Sequence, residues 1–316
     1  LINEWPSQNH SWAECVFEGP GAPALLPVVR STAARVSGLG GGARNTGTTG
    51  FTAIEFGAVI ATLSLLALVL APALARTQPI HSATQCVDNL RQIGLAWRMY
   101  AEDNGGNLVY NFRGAMAGKA PGSENWAGGW MDFASNSPDN TNSALLVDHE
   151  RYPYSAFLGP YVKSARSFKC PADRSTTMIT GKLVPRVRSI SMNNRVGEGG
   201  VSWISATAFR LYTNCRDLSV PTPAELFLVL DEHPDTINDG VFFADPDTAW
   251  TIIDYPAAYH NGGAGFAFAD AHAEIHRWRD PRTMPVLAPG QLLPLNVRMP
   301  GNPDVLWLQQ HAAGRR

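Results

Sequence analysis

The sequence predicts an α+β fold. One long N-terminal α-helix is expected to cross a membrane with its first part and to pack with its second part against a mainly antiparallel β-sheet with long loops. Three observations support this class. An uncharged apolar run begins at Phe56, an apolar stripe at helical spacing follows it, and the rest of the chain carries short apolar runs bounded by Gly, Pro and Asp. We therefore divide the chain into residues 1–50, 51–106 and 107–316.

The apolar run Phe56–Ala75 has the length of a membrane-spanning helix. It holds no charged residue, and about 20 apolar residues are needed to cross the hydrocarbon core. A buried core helix would show a polar face, whereas only Thr62 and Ser64 interrupt this run. A secretory signal would be shorter and would end at an A-x-A site, which Ala73-Leu74-Ala75 resembles. The membrane-spanning helix is the favoured interpretation, and the other two stay open.

The helix is expected to continue beyond this run. Its apolar positions recur three or four residues apart, which predicts one buried stripe against the protein's own sheet: Cys86, Leu90, Ile93, Trp97 and Tyr100. The sequence Asn104-Gly105-Gly106 is typical of a helix end.

Residues 107–316 are predicted to be rich in β-structure. Glu225–Asp231 and Val241–Ala244 are short apolar runs suited to buried strands. Ala264–Ala269 and Ala273–Trp278 flank Asp270-Ala271-His272 and indicate a hairpin. A short capped helix is expected after Asn302-Pro303-Asp304.

Charge and cysteine spacing exclude two kinds of site. The net charge of −2 lacks the basic excess of an electrostatic nucleic-acid binder, so no nucleic-acid partner is expected. The four cysteines contain no C-x-x-C pair, which disfavours a zinc knuckle or a thioredoxin-like motif.

The junction before the apolar run is the most specific motif. Gly50-Phe51-Thr52-Ala53-Ile54-Glu55 followed by the apolar run resembles the prepilin cleavage and methylation signature. The resemblance implies that residues 1–50 are a leader peptide, that a prepilin peptidase cuts after Gly50, and that the amine of Phe51 is methylated. Glu55 would then pair with the free amine of a neighbouring subunit, because a carboxylate in apolar surroundings needs a partner. The leader is longer than usual, and Thr48-Thr49 replaces the basic residue often found before the Gly.

Several blocks after Gly50 extend the resemblance. They are similar to a large family of prepilin-like proteins of planctomycetes and verrucomicrobia that carry an H-x9-DG element. These blocks are C-x-x-N-L-R-Q-I-G from Cys86, F-K-C-P-A-D from Phe168, S-I-S-M-N from Ser189, D-E-H-P-D from Asp231 and His260-x9-Asp270. Ala271 stands where the element has Gly, and Gly tolerates the positive φ of a tight turn far better.

Two functional classes follow from these motifs. The first is a pilin-like or pseudopilin subunit of a type II secretion or type IV pilus-like system. Its partners would be the prepilin peptidase, other pilin-like subunits and the cytoplasmic membrane, with residues 107–316 outside the cytoplasm. The second is a membrane-anchored extracytoplasmic protein that binds a ligand such as a polysaccharide, or a metal-dependent hydrolase. The sequence carries no G-x-S-x-G, Walker or G-x-G-x-x-G motif, so an enzyme is not expected.

A group of acidic residues and histidines is the candidate site in the β-rich part. Carboxylates and imidazoles at strand ends are common metal ligands, although the spacing fits neither an EF-hand nor H-E-x-x-H. A hydrogen-bonded network, a bound metal with Ca²⁺ preferred, and a catalytic metal all stay open. We predict that Asp231–Asp235 and either His260 or His272 converge at one end of the sheet, and that these groups mainly hold the sheet and its loops together. The candidate residues are Asp231, Glu232, His233, Asp235, Asp239, His260, Asp270 and His272.

The cysteines outside the leader suggest one disulfide. Cys86 lies on the helix stripe and Cys170 in the F-K-C-P block, and a compartment outside the cytoplasm permits disulfides. We predict a Cys86–Cys170 bond and a free Cys215. Three reduced, buried cysteines that pack as small apolar groups are the alternative.

Overall fold

The structure is a computed structural model that describes residues 52–133, 136–199, 208–244, 246, 249–288 and 290–316; for residues 69–80 it describes the backbone alone. Gly50, Phe51 and the predicted leader lie outside the described residues. The chain divides into two compact units between Gln78 and Pro79. Everything said below of the sheet and of the candidate site concerns the unit that begins at Pro79.

The long helix α1 extends over Ala53–Asp103. Among the residues with described side chains, no helix is apolar over a length sufficient to cross a membrane. This finding contradicts the predicted transmembrane helix, since a crossing requires an apolar helix of roughly 20 residues. The structure describes the side chains of the predicted run Phe56–Ala75 only as far as Leu68. The α+β class itself is confirmed.

The second part of α1 forms the stripe that the spacing predicts. Cys86, Leu90, Ile93 and Trp97 are fully buried and Tyr100 nearly so. The helix ends at Asp103, and Gly106, with φ of 86°, donates its backbone N–H to the carbonyl of Ala101. This left-handed ending after Asn104 is the stop that the two glycines predict.

A five-stranded sheet forms the centre of the later unit, and its strands are ordered β5-β3-β4-β7-β8. The β3–β5 pair is parallel and the other three pairs are antiparallel, so the sheet is mixed rather than uniformly antiparallel. Two two-stranded sheets, β1–β2 and β6–β9, lie outside it. The strands are β1 (Thr176–Ile179), β2 (Lys182–Pro185), β3 (Ile190–Asn193), β4 (Phe227–Asp231), β5 (Val241–Phe242), β6 (Thr251–Ile252), β7 (Gly263–Phe268), β8 (Ala273–Arg277) and β9 (Val297–Arg298).

The strands predicted after Glu225 are present with small shifts of their ends. Strand β4 is buried at every position, as its uninterrupted apolar sequence predicts. Strands β7 and β8 form the hairpin expected around Asp270. In its turn Ala271 has φ of 71°, a left-handed conformation that costs a non-Gly residue about 1–2 kcal/mol. Ala271, which replaces the Gly of the element, therefore adopts a strained backbone conformation.

The described part of the chain also contains the short α-helices α2 (Ala144–Val147), α3 (Gly159–Val162) and α4 (Pro303–Ala312). Helix α4 is the predicted terminal helix. Its N-cap is Asn302, whose side-chain oxygen accepts hydrogen bonds from the backbone N–H groups of Asp304 and Val305. Pro303 occupies the first helical position, where no N–H is needed.

Candidate metal centre

The predicted acidic residues at the end of strand β4 lie on opposite sides of the sheet. Side chains alternate between the two faces of a strand, so Asp231 and Glu232 point to opposite sides. Asp231 accepts hydrogen bonds from the Cys86 thiol of α1 (3.0 Å) and from the backbone N–H of Gly265 in β7 (3.2 Å). Glu232 lies instead among Asp254, Ser191 and Arg188. The predicted ligand set is therefore divided between two sites.

Four side chains converge on the α1 side of the sheet, and we call them the four-residue cluster: Cys86, Cys170, Asp231 and His260. One donor atom from each lies within 4.8 Å of every other. Cys170 Sγ is 3.2 Å from His260 Nε2, and that nitrogen is 3.7 Å from Asp231 Oδ2. The predicted convergence of Asp231 and His260 is present in the structure.

Each member of the cluster comes from a different element. Cys86 belongs to α1, Asp231 ends β4, and His260 lies in the loop before β7. Cys170 follows a single turn of 3₁₀ helix at Ala165–Phe168, and its backbone N–H donates to Ser189 Oγ (2.8 Å). All four are buried: the two cysteines and Asp231 are fully inaccessible, and His260 is 7% exposed.

A glycine provides the space in which the cluster fits. A Cβ placed on Gly265 would lie 2.9 Å from Cys86 Sγ and 3.0 Å from Asp231 Oδ2, and it would also contact Leu90 Cδ1. Side-chain carbons rarely approach other atoms so closely. The absence of a side chain at this position of β7 therefore lets α1 bring its thiol to the carboxylate.

Charge and burial act on the cluster in opposite directions. The hydrogen bond with Cys170 and then burial raise the pKa of the Cys86 thiol. The hydrogen bond with Cys86 lowers the pKa of Cys170, and the contact with His260 adds to this against burial. Burial is the largest single effect on His260 and lowers its pKa, but contacts with Asp231 and Cys170 together raise it to about 9. Within the cluster, Cys170 therefore loses its proton more readily than Cys86.

The geometry does not fit a Cys-His-Asp catalytic triad. In a triad the acid holds the imidazole nitrogen that faces away from the nucleophile. Here Cys170 and Asp231 both approach Nε2 of His260, whereas Nδ1 has no hydrogen-bond partner among the described residues. Cys170 is also inaccessible to a substrate. The four donor atoms share one centre instead, as ligands of a single ion do.

The donor types match a transition metal better than calcium. Two sulfurs, an imidazole nitrogen and a carboxylate oxygen are ligands typical of tetrahedral Zn²⁺. Calcium takes six to eight oxygen ligands, and the cluster offers one carboxylate. The Ca²⁺ that the acidic sequence suggested therefore does not fit these four residues.

The remaining predicted ligands have structural contacts elsewhere. His233 Nδ1 accepts the backbone N–H of Asp235, and Asp235 Oδ2 accepts that of Ala288 (2.8 Å). In the β7–β8 turn Asp270 Oδ1 is 2.6 Å from His272 Nδ1. Neither pair reaches the four-residue cluster. Their contacts hold loops to the sheet.

Glu232 and Asp239 belong to a second buried group with Asp254 and Arg188. Arg188 donates to the backbone carbonyls of Ile190 (2.9 Å) and Asp239 (2.7 Å). Burial raises the pKa of Glu232 well above its ordinary value, and repulsion from Asp254 adds to the effect. Burial lowers the pKa of Arg188 to about 10. Arg188 bonds to the backbone oxygen of Ile190 in β3 and to that of Asp239 just before β5. These bonds fix the end of the segment between β4 and β5.

The predicted disulfide partners are neighbours, but both are free thiols in the structure. The Cys86–Cys170 bond stays a prediction. Cys215 is disulfide-bonded, so the expectation of a free Cys215 is wrong. The sequence did not indicate the two cysteines as candidate metal ligands, because Cys86 and Asp231 are 145 positions apart. No local spacing motif could signal such a site.

No protein-family model, curated protein or solved structure matches this chain. The resemblance to prepilin-like proteins therefore remains a prediction from the sequence blocks.

Proposed function

We propose that this chain is a pilin-like subunit that a prepilin peptidase cuts after Gly50 and that assembles with other pilin-like subunits through the first part of α1. The assembly belongs to a type II secretion or type IV pilus-like system at the cytoplasmic membrane, with the β-rich part outside the cytoplasm. The observation that carries the proposal is the exposure of apolar side chains on all sides of this helix segment.

The exposed side chains between Ala53 and Leu68 are large and apolar. Ile54 is 85% exposed and Leu68 is 73% exposed. Leu63, Leu65 and Leu66 are each more than half exposed, and successive residues advance about 100° around a helix. A helix that is apolar on all sides is stable when apolar surfaces surround it. Equivalent helices of neighbouring subunits provide such a surface.

The start of the helix favours a charged Glu55. Its Oε2 accepts hydrogen bonds from the backbone N–H and the hydroxyl of Thr52, both at 2.9 Å, and the Thr52 hydroxyl accepts the backbone N–H of Glu55. This reciprocal arrangement is a capping box. The backbone and side-chain bonds from Thr52 lower the pKa of Glu55. The carboxylate can therefore attract the positive amine of a cleaved neighbour, which would set the register between subunits.

The hydrolase alternative has less support. The four-residue cluster is buried and presents its ligands to one another, whereas a catalytic metal keeps an open position for water or substrate. The other predicted acids and histidines are engaged in loop contacts. Nothing in this arrangement favours a substrate site over a structural one.

The processing test uses the full chain co-expressed with a prepilin peptidase. Mass spectrometry of the N-terminal peptide is expected to show a chain that begins with N-methyl-Phe51. Gly50→Ala should stay uncut, because the peptidase must approach the backbone where a Cβ would intrude. Gly57→Ala is the matched control, since a Cβ there meets no atom within 4 Å, and it should be cut normally.

The assembly test separates cutting from association. Glu55→Gln keeps the size of the side chain and removes its charge, so the variant should be cut but should crosslink to neighbouring subunits far less than the parent chain. An uncut Gly50-Phe51 bond in the parent chain, or a cut after Ala75, would refute the proposed processing. Equal crosslinking of Glu55→Gln would refute the pairing role.

A further inference from the structure

We propose that Cys86, Cys170, Asp231 and His260 bind one Zn²⁺ ion as a closed structural site that ties helix α1 to the sheet. This site is independent of the proposed assembly function, because all four residues belong to the unit that begins at Pro79.

The spacing of the donor atoms is close to that of a tetrahedral zinc site. Zn–S bonds of about 2.3 Å and Zn–N or Zn–O bonds of about 2.0–2.2 Å at tetrahedral angles place neighbouring donors roughly 3.3–3.8 Å apart. The structure has 3.0 Å from Cys86 Sγ to Asp231 Oδ2, 3.2 Å from Cys170 Sγ to His260 Nε2, and 3.7 Å from that nitrogen to Asp231 Oδ2. These three distances lie within a few tenths of an ångström of that range, and every other pair of donor atoms lies within 4.8 Å.

The charges of the donors favour a cation over a purely hydrogen-bonded group. When the metal binds, Asp231 and two thiolates contribute three negative charges and His260 ligates as a neutral imidazole, so a divalent ion offsets two of the three charges. Outside the four ligands, the neutral backbone N–H groups of Gly265 and Ala172 face Asp231 Oδ2 and Cys170 Sγ. These donors orient the ligands, as outer groups do in metal sites.

The site would connect parts of the chain that are far apart in sequence. Cys86 and Asp231 are separated by 145 positions, and Cys170 and His260 by 90. Binding to these residues requires the folded arrangement, so the free energy of metal binding adds to the free energy of unfolding. The consequence is a firm attachment of the second part of α1 to strands β4 and β7.

A surface depression lies next to the cluster. It has a volume of about 480 Å³, and its lining includes Asn89, Lys169, Cys170 and Asp173. Cys170 is the cluster residue that belongs to this lining, although its side chain is fully buried.

A Cys86–Cys170 disulfide is the competing state of the same residues. It would consume both sulfur ligands and would leave Asp231 and His260 as an ion pair. Zinc coordination and the disulfide exclude each other, so mass and metal content measured on one sample distinguish them.

The first experiment uses the full chain purified under reducing conditions, incubated with Zn²⁺ and then freed of unbound metal. Native mass spectrometry and elemental analysis should show one Zn²⁺ per chain. Replacement by Co²⁺ should produce the strong thiolate-to-cobalt charge-transfer absorption of a tetrahedral site. A strong chelator should lower the melting temperature, and added Zn²⁺ should restore it.

The second experiment assigns the ligands. Asp231→Asn and His260→Ala should weaken zinc binding at least tenfold, and Cys86→Ser with Cys170→Ser should abolish it together with the cobalt absorption. His272→Ala is the matched control, because that imidazole contacts Asp270 outside the cluster, and it should retain one Zn²⁺.

The outcomes that overturn the proposal are distinct. They are a parent chain without metal, a native sample in which peptide mapping finds Cys86 and Cys170 joined to each other by a disulfide, and zinc binding that survives replacement of both cysteines. If the cysteine variants do not fold, the cobalt spectrum of the parent chain decides. A stoichiometric charge-transfer band supports the site, and its absence refutes it.

Discussion

Replacement of Gly265 by Ala tests whether α1 packs against β7 as closely as the structure shows. The added Cβ would lie 2.9 Å from Cys86 Sγ and 3.0 Å from Asp231 Oδ2, and it would collide with Leu90 Cδ1. Overpacking of this kind costs about 1–3 kcal/mol, whereas Ala in place of Gly within a strand gains about 0.5–1 kcal/mol. The steric cost is the larger effect. We expect the free energy of unfolding to fall by roughly 1–2 kcal/mol.

A double-mutant cycle with Leu90→Ala locates the collision. Leu90 is fully buried, so its truncation alone should cost about 2–5 kcal/mol. If the new methyl group of Gly265→Ala enters the space that Leu90 vacates, the double variant should be more stable than the sum of the single effects by about 1 kcal/mol. Urea unfolding of the full chain, followed by tryptophan fluorescence, measures all three variants.

Gly57 provides the control, because it lies in helix α1 with open space around it. Gly57→Ala adds a Cβ that meets nothing within 4 Å, and in a helix it should be neutral or stabilising by about 0.5–1 kcal/mol. A Gly265→Ala variant as stable as the parent chain would show that Cys86, Leu90 and Asp231 do not surround Gly265 so closely. The four-residue cluster could not then have its described geometry.

Three further predictions concern stability alone. Burial raises the pKa of Asp254 to about 8, the hydrogen bond from Phe243 opposes this, and Asp239 adds to it. The folded state therefore holds the proton more tightly than the unfolded state, and this contribution to stability is complete below about pH 4 and is lost as the pH rises towards 8. Asp254→Asn cannot ionise, so its advantage over the parent chain in urea unfolding should grow by up to about 1.4 kcal/mol per pH unit in that window; an advantage that does not change with pH would contradict the assignment. Ala271→Gly should raise the free energy of unfolding by about 0.5–1 kcal/mol, because it relieves a φ of 71°, and a lower melting temperature would contradict the strain. Asn302→Ala removes the acceptor for two backbone N–H groups of α4 and should cost about 1 kcal/mol; an unchanged melting temperature would contradict the role of the cap.

Local sequence patterns predicted much of the later unit. The stripe from Cys86 to Tyr100, the buried strand β4 and the β7–β8 hairpin each depend on periodicity or turn residues within a few positions. The parallel β3–β5 pair was missed, because β5 has two residues and its partner is set by the path of the chain between them. The transmembrane part of the fold prediction rested on the length of the uncharged run from Phe56 and on its lack of a polar face, and it is contradicted, since no helix among the described residues is long and apolar enough to cross a membrane.

Local sequence patterns predicted two of the four residues of the cluster, Asp231 and His260. Asp231 and His260 were expected to meet because they end one strand and precede another in the same sheet. Glu232, the neighbour of Asp231, was included by adjacency in sequence, yet strand alternation directs it to the opposite face. Adjacent residues of a strand therefore belong to sites on opposite faces of the sheet, whereas residues two positions apart can belong to the same site.

The two cysteines show what sequence spacing cannot express. Each had been assigned a partner, the other cysteine, because thiols outside the cytoplasm commonly pair. The structure places a carboxylate 3.0 Å from one sulfur and an imidazole nitrogen 3.2 Å from the other. A disulfide requires neither the carboxylate nor the imidazole. Burying either group next to sulfur without a strong partner costs free energy. The presence of all four donors around one point, in a volume kept open by Gly265, is accounted for by an ion that binds them together.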